Sequence, residues 1–143
     1  MVKIVAMSTI CADVFDNTDE IRLGGEALNF AMTISNNAHV IISLMGAVGD
    51  DDIGRKAVEC IKARKNIDMS CVHMIDNGKT ATNKIYHDVT GNRYFKEDSW
   101  DGGVYQDFKL SEYLNNQNIN MAMEEGSLAA SNTLAFLGGF ACE

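Results

Sequence analysis

Proline is absent from this 143-residue chain, histidine occurs three times, cysteine four times, and no long apolar run is present. Each shortage removes a class of protein. There is no internal repeat, and no collagen-like or coiled-coil period. Cys11, Cys60, Cys71 and Cys142 stand far apart with no Cys-x-x-Cys pair. That spacing fits reduced thiols of a cytoplasmic protein, mostly packed in the interior, and neither a disulfide frame nor a zinc site. His39, His73 and His87 are equally scattered, so no metal site is expected from them. Cations are outnumbered, 12 Lys and Arg against 20 Asp and Glu, for a formal net charge of −8. Nucleic-acid or anionic-membrane partners need a basic footprint that this balance lacks. The opening run Val2 to Met7 is broken by Ser8 and Thr9, too short for a signal-peptide core or a membrane span.

What is there is an ordinary globular composition, 46% hydrophobic and 22% charged, in a length that suits one domain with a real core. Val2–Met7 and Val40–Met45 are β-branched apolar runs that read as buried strands. Residues from Asp13 to Arg22 are polar and read as a loop or short exposed strand. After Gly25, the residues Ala27, Leu28, Ala31, Met32 and Ile34 fall at helical spacing, with Asn36-Asn37 as a stop. Asp51-Asp52 opens a second helical stretch with Ile53, Ala57, Val58 and Ile61 on one face, the two acids suiting its positive end. Strand, helix, strand, helix predicts a parallel α/β sheet spanning 1–70. Cys71–Ile75, Ala81–His87 and Arg93–Lys96 are shorter pieces separated by Asn77-Gly78 and Thr90-Gly91-Asn92, which predicts a small antiparallel lid over 71–98. Residues 99–120 form a loop-rich segment. Met121 to Leu137 closes the chain as an apolar helix ending at Gly138-Gly139.

The residues best suited to chemistry are Gly24-Gly25-Glu26-Ala27-Leu28-Asn29-Phe30-Ala31 and Gly46-Ala47-Val48-Gly49-Asp50-Asp51-Asp52-Ile53-Gly54. A glycine pair before a helix lets backbone approach a ligand and present amides at the positive helix end. Asn29, one turn in, offers a donor and an acceptor to a polyol. Asp13, just past the first strand, falls outside the carboxyl end of the sheet, where α/β proteins bind ligands. By chemistry alone, a plain strand-to-helix turn with a satisfied Asn explains the same pattern. Asp50, Asp51 and Asp52 fit a helix N-terminus better than a metal site.

Those two motifs, in that order, resemble the N-terminal signature of the ribokinase-type (PfkB-family) carbohydrate kinases. Upstream, Cys11-Ala12-Asp13-Val14 resembles the family's first-strand turn bearing a sugar-contacting Asp. Downstream, Lys79-Thr80-Ala81-Thr82 and Gly91-Asn92-Arg93-Tyr94-Phe95 resemble its lid strands. Within the family, the glycine motif, the Val48–Asp52 run and Asp107-Phe108-x-Leu110-Ser111-Glu112 are most similar to fructoselysine 6-kinases. The resemblance runs from about Val2 to Glu112. It implies a ribokinase-like (Rossmann-like) parallel sheet with a small antiparallel β lid. It also implies that Asp13, Gly24, Gly25 and Asn29 bind sugar hydroxyls, with Gly24-Gly25 doubling as the lid hinge. Lid residues Asn83, Lys84 and Arg93 lie where they could face the sugar, or could form a solvated strand face. Glu26 departs from the small polar residue usual there. For the complete family enzyme the resemblance implies ATP and magnesium and a sugar or glycated amine as substrate; whether a homodimer forms through the β lid is left open by the sequence.

Past Glu112 the pattern departs. The family's later strand–helix units, its nucleotide site, its Asn-x-x-Glu element and its Gly-Ala-Gly-Asp loop with the catalytic base do not occur in these 143 residues. Instead Ala122 to Ala130 resembles the family's final helix, joined near residues 113–120. Phosphoryl transfer depends on positioning and on neutralised charge, so the chain as written is expected to be catalytically incomplete. Two functional classes follow: part of a sugar kinase, or a non-catalytic module that binds a polyol or self-associates. A nucleotide-binding α/β protein of another kind is disfavoured, since neither a GxxxxGK[ST] loop nor a GxGxxG fingerprint occurs.

Overall fold

The computed structural model describes residues 1–18 and 20–107. In chain order the elements are β1 (Val2–Met7), β2 (Cys11–Phe15), β3 (Ile21–Gly24), α1 (Glu26–Ile34), β4 (Val40–Gly49), α2 (Asp52–Lys62), β5 (Ile67–Ile75), β6 (Ala81–His87), β7 (Arg93–Tyr94) and β8 (Trp100–Asp101). The expected closing helix, Met121 to Leu137, and the junction at 113–120 lie outside the described residues.

Two sheets divide the work. The first is parallel, in the order β1-β4-β5, with Val2 opposite Val40 through Met7 opposite Met45. β4 is the central strand, and its near-continuous apolar run is what a strand covered on both faces needs. Both helices lie on one face, where Ile42 and Leu44 of β4 pack with Leu28 and Ala31 of α1 and with Ala57 and Ile61 of α2. Ile42, Leu44 and Ile61 are fully enclosed, each worth about 1.5–3 kcal/mol of apolar burial. On the opposite face Met45 packs against Val5 and Cys71. Asn66 pins the bottom of this layer: its amide donates to the carbonyls of Ser35, Asn37 and Val40 at 3.0–3.2 Å. No helix among the described residues is long and apolar enough to cross a membrane.

The second sheet is the lid. β3 pairs antiparallel with β2, and β2 pairs parallel with β6. β7 and β8 then each pair antiparallel with a part of β6. The expected lid is therefore present as a mixed sheet rather than an antiparallel meander. The chain enters it twice from the same direction, once after β1 and once after β5, so the two entering strands run side by side. The polar stretch from Asp13 to Arg22 supplies a hairpin, β2 and β3.

One boundary moves. Cys71–Ile75 belongs to the parallel sheet, with Met45 opposite Cys71 and Gly49 opposite Ile75, not to the lid. The Asn77-Gly78 turn that suggested a hairpin instead joins strands of different sheets. Asn77 takes the left-handed conformation there, φ 55°, as an Asn-Gly turn favours. Nor are the thiols uniformly interior: Cys11 is buried, Cys71 half-buried and Cys60 exposed.

Candidate functional site

The site is built where the lid hairpin returns to the core. β2 leaves the end of β1, turns, and comes back along β3 with Cys11 opposite Gly24 and Asp13 opposite Arg22. α1 begins immediately after. Its N-cap is Gly25, at φ 97° and ψ 150°, with no side chain capping the first turn. Only glycine holds that backbone without strain, and a Cβ there would stand 2.2 Å from the Thr9 carbonyl oxygen. Gly25 thus lets the start of α1 press against the β1–β2 connection.

Gly24 is bare for a different reason. A Cβ at Gly24 would meet Asp13 Oδ2 at 3.6 Å and Asn29 Nδ2 at 3.8 Å. Its missing side chain leaves a space with an acid on one side and an amide on the other. Neither the Asp13 nor the Asn29 side chain hydrogen-bonds another described residue. Burial pushes the Asp13 carboxyl above the usual aspartate range, opposed by the positive charge of Arg93. Burial, reinforced by Asp13 and Glu26, pushes the Cys11 thiol up to about 11. Glu26, on the rim, accepts a hydrogen bond from the Ser8 hydroxyl at 2.8 Å and borders a cleft of about 400 Å³ with Met7 and Phe30.

Strand alternation decides which lid residues share this face. Residues paired across strands point the same way, so Asp13, Arg22 and Asn83 lie together. Lys84, one residue on from Asn83, lies on the opposite face. There it pairs with Asp16 at 3.0 Å and sits 5.2 Å from the Tyr86 ring centroid. Adjacent strand residues cannot both face a ligand, so of the expected pair only Asn83 shares the Asp13 face. Arg93 pairs with His87 and reaches Phe15 on that face. Phe15, Arg22 and His87 escape notice in the sequence because the pairing of β2 with β6 is not local, and because the segment from Asp13 to Arg22 reads equally as loop or short exposed strand. Its signal is the alternation of Asp13 and Phe15.

The acidic run at Asp50–Asp52 is structural. Asp51 caps α2, accepting from Gly54 N at 2.8 Å, from Thr80 Oγ1 at 2.7 Å and from Thr80 N at 2.8 Å. Desolvation pushes the Asp51 carboxyl up, but those hydrogen bonds and the Arg55 charge together hold it below the usual range. Arg55 takes up Asp50 and Asp52. Asp51 therefore ties α2 to the start of β6, joining core and lid. Among the described residues, no cluster of three or more His, Cys, Asp or Glu could hold a metal ion.

No family model and no curated protein matches the sequence. Solved structures do match. A fructokinase from Vibrio cholerae O395 superposes with a TM-score of 0.62 at 21% identity, over 78% of this chain and 38% of that one. A ribokinase from Cryptococcus neoformans var. grubii serotype A, in complex with ADP, gives 0.58 at 17% identity over the same shares. An aminoimidazole riboside kinase from Salmonella enterica gives 0.51 at 16% identity, over 68% of this chain and 32% of that one. The chain thus spans 32–38% of the length of these structures. Its parallel sheet with two helices and a mixed lid sheet is the ribokinase-like fold, shared with these sugar kinases.

Proposed function

We propose that this chain is the sugar-binding part of a carbohydrate kinase, in which Asp13 and Asn29 grip hydroxyls of a sugar or glycated amine lying over Gly24. The observation that carries the reading is the bare Gly24, flanked by an acceptor and a donor that no other described residue uses. A half-buried carboxylate without a partner destabilises the fold, and a polyol is a partner it lacks. The Gly25 turn adds the first amides of α1, and Asn83 a further amide on the lid face. The glycine motif and the Val48–Asp52 run support a fructoselysine-like substrate within this class.

ATP and magnesium belong to the complete family reaction, and the described residues do not fit them. Among the described residues the dense acidic run Asp50–Asp52 is consumed by Arg55, Gly54 and Thr80, and they contain no phosphate loop. No step of transfer is therefore assigned to these residues, and the proposal is that the 143-residue chain binds sugar without turning over ATP. Exposed Tyr94, Phe95 and Trp100 support self-association through the lid as part of the same reading. A reducing cytoplasm as its location is supported by the free thiols of Cys11 and Cys60.

The test is calorimetric titration of the mass-verified chain with a sugar panel that includes fructose and fructoselysine, beside the Asp13→Ala variant, with ADP release followed in parallel. A charge-assisted hydrogen bond contributes roughly 1.5–3 kcal/mol, so Asp13→Ala should weaken binding at least tenfold. Equal binding by the variant removes Asp13 from the site. Sugar-dependent ADP release removes the second half of the proposal.

A further inference from the structure

The lid face next to Asp13 carries a second group of residues that a neutral sugar does not need. Phe15 forms its floor. The Arg22 guanidinium carbon lies 4.8 Å and that of Arg93 5.3 Å from the Phe15 ring centroid, and the His87 ring stacks on Phe15 at 5.9 Å and 20°. The two arginines differ in what they already hold. Glu20 grips Arg22 through both carboxylate oxygens, at 2.8 and 2.9 Å. Arg93 hydrogen-bonds no carboxylate among the described residues.

Beside Arg93, across the β6–β7 pair, His87 Nδ1 is buried and has no hydrogen-bond partner among the described residues. A buried polar atom left unsatisfied costs about 1–3 kcal/mol and calls for an explanation. The approach to Arg93 is preset. Asp88 Oδ1 accepts from Thr90 N, Thr90 Oγ1 and Asn92 N at 2.7–2.9 Å, and Gly91 takes φ 86°. Those bonds, led by that from the Thr90 hydroxyl, hold the Asp88 carboxyl down to about 2. Asp88 is therefore spent on the turn and stays charged there, rather than competing for Arg93.

From these observations we infer that the lid face is a subsite for an anionic group, carboxylate or phosphate, carried by the sugar itself. The anion lies against the Arg93 guanidinium and accepts a hydrogen bond from Nδ1–H of His87, with Phe15 beneath. This inference rests on the proposed sugar site and names its substrate class. Asp13 and Phe15 are two residues apart on one strand, about 7 Å, the span of a five- or six-carbon chain. A polyol held at Asp13 therefore brings its own terminal anion to Arg93. Guanidinium matches either anion through paired N–H donors, and the neutral Asn83 amide beside Asp13 adds no repulsion.

The experiment compares affinities of the 143-residue chain, by calorimetry at low ionic strength, for D-fructose, D-fructose 6-phosphate and N-fructosylglycine, with inorganic phosphate alone. At least one anionic sugar should bind about tenfold or more tightly than D-fructose, a ratio corresponding to one charge-assisted contact. The phosphate and carboxylate arms identify which anion is used. Arg93→Gln and His87→Phe, the latter keeping a ring on Phe15, should each reduce that ratio severalfold. Lys65→Gln, which removes the same charge at the far end of the core sheet, should leave the ratio unchanged. Equal affinity for neutral and anionic sugars overturns the subsite while leaving the sugar site standing. A ratio that survives Arg93→Gln overturns it as well. Inorganic phosphate binding as tightly as the sugar phosphate would show an anion site unconnected to the polyol. Binding of none of these compounds overturns both proposals.

Discussion

Gly24→Ala separates folding from binding more cleanly than any other single change in this chain. The backbone at Gly24 lies outside the positive-φ region, and an added methyl would meet nothing closer than 3.6 Å, which is ordinary van der Waals contact. Gly→Ala in a compatible conformation stabilises by about 0.4–1 kcal/mol through the unfolded chain, so the thermal midpoint should hold or rise slightly. The methyl, however, occupies the space between Asp13 Oδ2 and Asn29 Nδ2. A hydroxyl displaced from there loses a charge-assisted bond of about 1.5–3 kcal/mol and a neutral one of about 0.5–1.5 kcal/mol. Losing the first alone weakens binding roughly tenfold to a hundredfold. Circular dichroism melts and calorimetric sugar titrations on the same preparation read the two effects separately. A Gly24→Ala protein that melts normally and binds sugar with unchanged affinity would refute the placement of the ligand over Gly24.

The neighbouring substitution should behave in the opposite way: Gly25→Ala adds about 1–3 kcal/mol of backbone strain on top of a 2.2 Å approach to the Thr9 carbonyl, so its melting point should fall sharply or the protein should be insoluble. Asp51→Asn turns an amide NH2 toward Thr80 N and loses charged acceptors worth roughly 1.5–3 kcal/mol, lowering the midpoint by several degrees at pH 7. Because the folded Asp51 carboxyl is held below its ordinary value, its stabilisation is present above about pH 4 and lost as pH falls through the depressed folded value. The gap between wild type and Asp51→Asn in melts from pH 7 to pH 3 should therefore narrow. Asp13 carries the reverse sign: its folded carboxyl is raised, so ionising it opposes folding, and Asp13→Asn should raise the midpoint at pH 7 relative to pH 3. In native protein at pH 8, maleimide followed by peptide mass spectrometry should modify exposed Cys60 quickly and Cys11, buried and pushed up to about 11, slowly if at all.

How far the sequence reveals this molecule depends on how local each signal is. β1, β4 and both helices are legible because long apolar runs and 3.6-residue spacing are properties of the segment itself. So is the Asp51 cap, which requires only an acid three residues before Gly54. Gly24-Gly25 and Asn29 stand out for the same reason. β5 is harder, because Asp68 and Ser70 interrupt its apolar positions, and its place in the core is fixed by pairing with β4 rather than by its own pattern. The parallel pairing of β2 with β6 joins residues about seventy positions apart, and nothing local announces it. That pairing is also what brings Asn83, His87 and Arg93 to Asp13 and Phe15. The part of the site set by the lid is thus visible only in three dimensions.

The central claim is that sugar binds between the lid hairpin and the start of α1. It is tested most directly by recording amide resonances of isotopically labelled protein as sugar is added. The account predicts that the amides of Asp13, Gly24, Gly25 and Asn29 shift together, saturating along one binding curve. Shifts confined elsewhere, such as the groove lined by Ile21, Leu23, Ile53 and Lys56, or no shifts with any sugar, would contradict it.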